Sequence, residues 1–505
     1  MTVPWKLCFA LFVALISTLL GGCSGMATLA SNPNSTSTPS PSPSPNPSPS
    51  PNPSPGLEVV NHIVVMLQEN RSYDSYFGKI NDDRAAQGLG RDVDALDTLF
   101  SQPADDGSSI MNFHYVTACT YNSAQAWLES HGDVNRDQPA DGNPVLINGF
   151  VHTASGDAMG INPDTKGVRV MGFYNQNDLP SPYFFATQFA TSDRWYAPAP
   201  IQTEAARLYA MAATSQGHAH PPNASVSATT IFQLLDSAGV SWRIYAADND
   251  ANGKPITFLN FFQPYGSTKQ DHVFPLSQYF ADLQNGTLPP FVYIEPSFNS
   301  GHDEHPGSTT NIQSGANFIR SIITALIGST SWKDSIFIET FDEAGGLFDH
   351  VGPMIDGQPI EELAVNGGTQ AVGPGRYATD AATQHVPNPD GMAPRDLTSS
   401  DPPGDFTRTG FRVPVMIISP FAKPHFVSHL PMDNTAVLKL VETRFHLPHL
   451  TFRDAAQPDM SAEFFDFANA PNMNPPAVPS QPVPNNNCDP SKASAALGSP
   501  WTPPN

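Results

Sequence analysis

Three short segments of this chain place carboxylates, a carboxamide and histidines directly after apolar runs. Gln68-Glu69-Asn70-Arg71 closes the run Val59–Leu67. Glu295-Pro296 follows Phe291–Ile294 and leads to Asp303-Glu304-His305-Pro306. Phe341-Asp342-Glu343 follows Ile336–Thr340 and leads to Asp349-His350. Taken singly, an acidic residue in such a place is a solvated loop residue or a helix cap. Several at successive strand ends point to one place, because open α/β sheets bind ligands outside the carboxyl ends of their strands. If the strands are parallel, Glu69, Asn70, Asp342, Glu343 and several histidines converge on one edge. Three or four carboxylates brought together repel one another unless a cation sits among them. Oxygen donors of this kind suit Ca2+, Mg2+ or Mn2+ better than Zn2+.

A hydroxyl stands at a comparable place. Glu204–Thr214 has helical composition, so Thr203 falls at a helix N-terminus. Free backbone N–H groups and the helix dipole there favour a bound phosphate. The plainer reading of Thr203 is an N-cap.

The elements that must position these residues alternate. Val59–Leu67, Trp242–Ala246, Phe291–Ile294, Ile336–Thr340 and Val413–Ile418 are apolar runs, many rich in β-branched residues, of the kind that suits strands buried on both faces. Between them Thr230–Ser237, Asn311–Ile327 and Asn434–Phe445 carry helical patterns. This alternation predicts an α/β sandwich with a mainly parallel central sheet. No internal repeat is evident.

The ends of the chain read differently. Lys6, the apolar run Leu7–Leu20 and Leu20-Gly21-Gly22-Cys23 form an export signal that resembles those of bacterial lipoproteins. That resemblance implies removal of residues 1–22 and lipidation of Cys23, anchoring an exported protein to the cell envelope, while the plainer reading is ordinary secretion with Cys23 free. Residues 23–56 are mostly Ser-Pro and Asn-Pro, a composition without core-forming residues that holds an extended stalk. Residues 57–470 have globular composition, and residues 471–505 form a Pro-rich tail expected to be disordered or loosely docked. Cys119 and Cys488 are the two thiols left in an oxidising compartment, either paired or unrelated. The formal net charge of −23 argues against a nucleic-acid partner, which requires a dense basic surface. No apolar run approaches the ~20 residues of a membrane span.

At the strand-end motifs the sequence becomes recognisable. His62-Ile63-Val64-Val65-Met66-Leu67-Gln68-Glu69-Asn70-Arg71-Ser72-Tyr73 closely resembles the opening of the bacterial phosphoesterase family, which joins phospholipases C and an acid phosphatase branch within the alkaline phosphatase superfamily. Further matches follow in order: Trp127 to His131, Gly149-Phe150, Glu295-Pro296 with Asp303 to Pro306, Thr340 to Val351, and Arg412-Val413-Pro414 to Ser419-Pro420. They run from about residue 60 to residue 450. The resemblance implies an alkaline-phosphatase-like three-layer α/β/α sandwich. It implies Glu69, Asn70, Asp342 and Glu343 as metal ligands and Thr203 as nucleophile. Thr203 and Arg207 keep the spacing of the family's Thr-Asp-Pro-Asn-Arg-like segment, while Ala205-Ala206 replace its Pro-Asn pair. Asp433-Asn434-Thr435 stands where Asp-His-Thr is usual, and Pro353-Met354 where Pro-Pro is common.

The expected reaction is attack by a metal-activated Thr203 on phosphorus, forming a phosphothreonine that water later hydrolyses. His131, His305 and His350 are the expected charge-balancing and proton-transferring groups, with His218 and His220 weaker candidates. The leading substrate reading is a phospholipid or related phosphodiester, cleaved as by a phospholipase C. The alternatives are a phosphomonoester and, from another class, a surface binding protein that keeps the fold without the chemistry.

Overall fold

The computed structural model describes residues 56–483, except residue 124 and the stretches 141–144, 158–163, 308–310, 355–361, 366–367 and 372–392. All of them belong to one compact unit, Ser54–Asn505. The export signal, Cys23, nearly all of the stalk and Cys488 lie outside the described residues.

The apolar runs build the sheet. Its strands are β1 (His62–Gln68), β2 (Ala190–Ser192), β3 (Trp242–Ala246), β4 (Val273–Pro275), β5 (Phe291–Glu295), β6 (Ser335–Phe341), β7 (Val415–Ile418) and β8 (Phe426–Ser428). Their order across the sheet is β8-β2-β7-β6-β1-β5-β3-β4. All neighbours are parallel except β7, which runs antiparallel to both β6 and β2. Every residue of β6, and all of β1 after His62, is buried. Such burial requires cover on both faces of the sheet.

The helices supply that cover in two groups. They include α1 (Tyr73–Phe77), α2 (Trp127–Val134), α3 (Pro180–Gln188), α4 (Thr203–Ala212), α5 (Ile231–Ser237), α6 (Leu276–Asn285), α7 (Ile312–Ile327), α8 (Thr435–Phe445), α9 (Phe452–Ala456) and α10 (Met460–Phe464), beside further helices at Ile80–Ala86, Phe150–Asp157 and Tyr265–Thr268. α7 packs against α3 and α6, while α8 packs against α4, α9 and α10. α7 buries Ile312, Ala316, Ile319, Ile323 and Leu326, the three- and four-residue spacing of one helix face. Asn311 caps it by accepting from the backbone N–H groups of Gln313 and Ser314. The expected mainly parallel α/β sandwich is the observed architecture.

Some boundaries differ for identifiable reasons. Leu57–Val59 forms a 3-10 turn, so β1 begins only at His62. β7 begins at Val415 rather than Val413, because Pro414 lacks the N–H that a ladder uses. β2, β4 and β8 have three residues each, too few to show any alternation in sequence.

Of the Pro-rich tail, residues 471–483 are described, and they are docked on the body. Trp332 Nε1 donates to the Met473 carbonyl (3.0 Å), Arg320 Nε to the Pro479 carbonyl (2.6 Å), and Gln481 Nε2 to the Asp178 carbonyl (2.9 Å). Proline removes donors but leaves its carbonyl, so a Pro-rich strap binds well to a body that offers side-chain N–H groups. Cys119 is disulfide-bonded.

Candidate active site

The register of β1 with β6 places Gln68 beside Phe341, so the residues that follow leave the sheet together. Asp342 N–H donates to the Gln68 carbonyl (3.1 Å), and Arg71 N–H donates to the Glu343 carbonyl (3.1 Å). Asp342 Oδ1 accepts from the backbone N–H groups of Asn70 (3.1 Å) and Glu343 (2.8 Å). Glu69 N–H donates to the Asp303 carbonyl (2.8 Å), which joins the third motif to the first. Asn70 has φ of 56°, a left-handed conformation that asparagine tolerates better than most residues. Gly345, with φ of +71°, packs so closely on it that a Cβ there would lie 2.5 Å from the Asn70 carbonyl oxygen.

Thr203 is the first residue of α4, and the N-cap position belongs to Gln202, which makes no side-chain cap. The Thr203 hydroxyl is turned to the strand ends instead. Oγ1 donates to Glu69 Oε2 (3.2 Å) and lies 3.5 Å from Asn70 Oδ1. One turn along the same helix, the fully buried Arg207 donates from Nε to Glu69 Oε1 (3.0 Å) and from Nη2 to the Leu67 carbonyl (3.1 Å). Its guanidinium also stands 3.4 Å from Asp342 Oδ2 and 3.7 Å from Glu295 Oε2. The rings of Phe258 and Phe298 flank it at 4.9 and 5.3 Å. α4 is thereby tied to the carboxyl ends of β1, β5 and β6 at once.

A cavity of about 540 Å³ opens onto this junction, within the range of small-ligand sites. Glu69, Asn70, Thr203, His305 and Glu343 line it, together with Asn122, Gln125, Glu129, Glu204, Phe258, Phe298 and Asp303. Asp342 lies fully buried behind them. Burial, then the neighbouring Glu69, pushes the Asp342 carboxyl up to about 8. Burial, then Asp342, pushes Glu343 well above the carboxylate range. Burial also raises Glu69, against the opposing pull of Arg207, and takes Asp303 up to about 7. Asp342 Oδ2 is buried and accepts no hydrogen bond. Carboxylates in that condition hold protons or a cation. The oxygens of Glu69, Asn70, Asp342, Glu343 and Thr203 are donors of the type that a hard divalent ion takes.

A model of the Phosphoesterase family matches residues 60–448. The chain belongs to that family. It is 29% identical over 461 residues to "Phospholipase C B" of Mycobacterium tuberculosis, covering 83% of this chain and 80% of that one. It is 28% identical over 397 residues to "Non-specific phospholipase C4" of Arabidopsis thaliana, covering 74% of this chain and 64% of the plant protein's length. A solved protein of the alkaline phosphatase superfamily from Vibrio parahaemolyticus superposes with a TM-score of 0.28 at 13% identity, over 56% of this chain and 64% of that one, a likeness too faint to carry further inference.

The histidines of this phosphoesterase are divided. His305 is at the cavity wall, with Nδ1 against the Pro306 carbonyl (2.7 Å) and Nε2 against Asn70 Nδ2 (3.1 Å). Burial lowers its pKa and keeps the ring neutral. His131 lies buried on α2, with Nδ1 at 2.6 Å from the Trp127 carbonyl and its ring 4.4 Å from that of Trp127, and it does not line the cavity. His218 pairs with Asp396 and His220 with Asp401, each at 2.9 Å.

His350 lies in a separate buried network. Its Nδ1 is 2.7 Å from Asp74 Oδ2 and its Nε2 2.9 Å from Asp94 Oδ1. Arg412 joins Asp349 (2.7 Å) to Asp74 (3.1 Å). The structure therefore gives His350 the work of fastening the far end of the Asp342 loop to α1. Burial alone would lower the His350 pKa, but Asp74 and Asp94 overcome it and raise it to about 10. A group raised on folding stabilises fully below its unfolded pKa, about 6.5, and loses that contribution as pH rises through the folded value. Stability should fall by about 1.4 kcal/mol per pH unit between those two values from this group. Denaturant unfolding from pH 7 to pH 10 should show a slope that His350→Gln lacks; equal slopes would contradict the charged state.

Sequence reasoning did not single out Gln125, Glu129, Phe258 or Phe298. Gln125 Oε1 accepts from the Gly346 N–H and so steadies the loop that follows Asp342 and Glu343. These residues lie on loops or a short helix whose patterns carry no catalytic signal. Gln125 precedes the N-cap Ala126 of α2, and Glu129 lies in the first turn of that helix.

Proposed function

We propose that this phosphoesterase hydrolyses phosphodiesters in the manner of a phospholipase C, with Thr203 as nucleophile and a divalent cation held by Glu69, Asn70, Asp342 and Glu343. The observation that carries this reading is the meeting of Thr203 Oγ1 with Glu69 and Asn70 at the mouth of a cavity, beside the buried Asp342. A cation in that donor set neutralises phosphoryl charge and lowers the pKa of the Thr203 hydroxyl.

The residues of the chain do the rest. The N-terminus of α4 aims backbone N–H groups at a phosphate. Thr203 Oγ1 bonds to phosphorus while the P–O bond to the leaving alcohol breaks. The hydroxyl proton passes toward Glu69 Oε2, which already accepts it. The leaving alkoxide then takes that proton from Glu69, while the neutral His305, whose Nε2 faces the Asn70 amide, helps to hold Asn70 in place. Water then attacks the phosphothreonine, the Thr203 O–P bond breaks, and Thr203 regains its proton. Arg207 fixes α4 so that Oγ1 stays on the ligand side.

The lining favours a diester over a monoester. Glu69, Glu129, Glu204, Asp303 and Glu343 face the cavity, and among the described residues that line it there is no Lys or Arg. A monoanionic diester meets less repulsion there than a dianionic monoester. The names of the relatives support a phospholipid substrate. Cys23 is the proposed lipid anchor and the cell envelope the proposed location, which a Cys23→Ala chain recovered in the soluble fraction would support.

The test uses the full chain stripped of metal by chelation. Hydrolysis of p-nitrophenylphosphorylcholine should drop at least ~100-fold and return with Mn2+, Ca2+ or Mg2+. p-Nitrophenyl phosphate should be turned over at least ~10-fold more slowly than the diester. Full activity after exhaustive chelation would refute the metal. Faster turnover of the monoester would move the assignment to a phosphatase, and no turnover of either ester would leave a binding protein.

A further inference from the structure

The α8–α9 corner holds a second group of ligating side chains, away from the cavity. Glu442 comes from the last turn of α8, His449 from the connecting loop, and Asp454 from the first turn of α9. One donor atom from each lies within 4.8 Å of the other two. His449 Nδ1 is 2.7 Å from Glu442 Oε2 and 4.0 Å from Asp454 Oδ2. The two carboxylates face each other closely enough to share one donor: Leu450 N–H donates to Glu442 Oε1 (3.2 Å) and to Asp454 Oδ2 (2.9 Å). The side chains of Glu442 and Asp454 are fully buried, while that of His449 is 47% exposed, so one side of the group is open to solvent.

The nearest basic side chains do not neutralise this pair. Lys439 Nζ donates to the carbonyls of Ala455 (2.9 Å) and Gln457. Arg453 Nε donates to Asp433 Oδ2 (2.8 Å), and its other nitrogens go to the carbonyls of Phe406 and Pro198. Asp454 Oδ1 also accepts from the Thr451 N–H (2.7 Å) and hydroxyl (2.8 Å), but these neutral donors bring no charge, so two buried carboxylates side by side still repel each other, and either a proton or a cation relieves them. An imidazole nitrogen poised at the open side favours the cation.

We propose that Glu442, His449 and Asp454 form a structural site for a divalent metal of the zinc or manganese class. Bonds of about 2.1 Å place neighbouring ligand atoms about 3.0–3.4 Å apart, inside the spread seen between these donors. One imidazole with two carboxylates suits Zn2+ or Mn2+, whereas Ca2+ and Mg2+ take oxygen. Solvent at His449 provides the entry path and water for the remaining positions. The metal would join the end of α8 to the start of α9. Both lie behind α4: α8 packs on it, and Thr451 Oγ1 reaches the carbonyl of Ala213 at its C-terminus (3.4 Å). The site would therefore brace the helix that carries Thr203 without touching substrate.

Equilibrium dialysis of the chelator-stripped full chain against ZnCl2, with thermal unfolding of the same samples, tests this. His449→Ala, a half-exposed change that should fold, is expected to lose one bound zinc per chain, or to weaken that zinc at least ~10-fold. The zinc-dependent rise in melting temperature should shrink with it. Phosphodiesterase activity with the cavity metal restored should stay unchanged. Glu442→Gln, which keeps an oxygen for Leu450, should lose the same zinc. Identical zinc stoichiometry and affinity in wild type and both variants would overturn the site. So would a stripped wild type whose every bound zinc is lost with Asp342→Asn and none with His449→Ala. None of these binding readouts depends on the reaction proposed for the cavity.

Discussion

Thr203→Ala should reduce phosphodiester turnover at least ~10³-fold, about 4 kcal/mol of transition-state stabilisation, with a melting temperature within a few degrees of wild type. The size of the effect follows from the position of this hydroxyl: among the described residues, Thr203 Oγ1 is the hydroxyl that meets Glu69 and Asn70, at 3.2 and 3.5 Å. The small structural cost follows from the helix start. Thr203 is not the N-cap, so alanine removes no capping bond and is the better helix former. Thr203→Ser keeps the nucleophilic oxygen and should retain measurable turnover. Phosphate trapped on the chain in an acid-quenched reaction should be found at residue 203. A Thr203→Ala enzyme working within threefold of wild type would remove the covalent mechanism.

The second large effect is expected at Arg207. Arg207→Met should cost about 3–5 kcal/mol of stability and at least ~100-fold in activity. Methionine of similar length strips the guanidinium from Glu69, Asp342 and Glu295, all fully or nearly fully buried, and leaves the Leu67 and Gln68 carbonyls without their donor. Arg207→Lys restores the charge but not the fork that serves Glu69 and two carbonyls together, so it should recover only part of both losses. Denaturant unfolding and steady-state kinetics read the two separately. A methionine variant as stable as wild type would mean that protons, rather than the guanidinium, neutralise these carboxylates in the folded chain.

Much of this was legible before any coordinates. β1, β5 and β6 announce themselves as largely apolar, β-branched runs because a strand buried on both faces must be mostly apolar, the buried Glu339 of β6 being an exception. Their ends were legible for the complementary reason, since Glu69, Glu295 and Asp342 are the first residues free of that demand. Thr203 was ambiguous in sequence, because the composition of a helix start is the same for a capping hydroxyl and a reacting one. Only the direction of Oγ1 separates the two. His350 illustrates the opposite case. Its motif sits beside Asp342 and Glu343 in sequence, yet the loop from Asp342 carries it away to Asp74 and Asp94, eight residues being ample to leave a site. Gln125 and Phe298 were invisible because loop residues enter a cavity through tertiary folding alone.

The single reversed strand has a topological consequence. In β7, Val415 lies opposite Thr340 and Ile418 opposite Phe337, so it is the beginning of β7, not its end, that reaches the reactive rim of the sheet. Arg412 arrives there from upstream, while the chain leaving Ile418 exits at the opposite rim, toward the docked tail at Pro420. Variation grafted into the segment before this strand would thus alter the neighbourhood of the reaction, whereas insertions after it would remodel only the remote side.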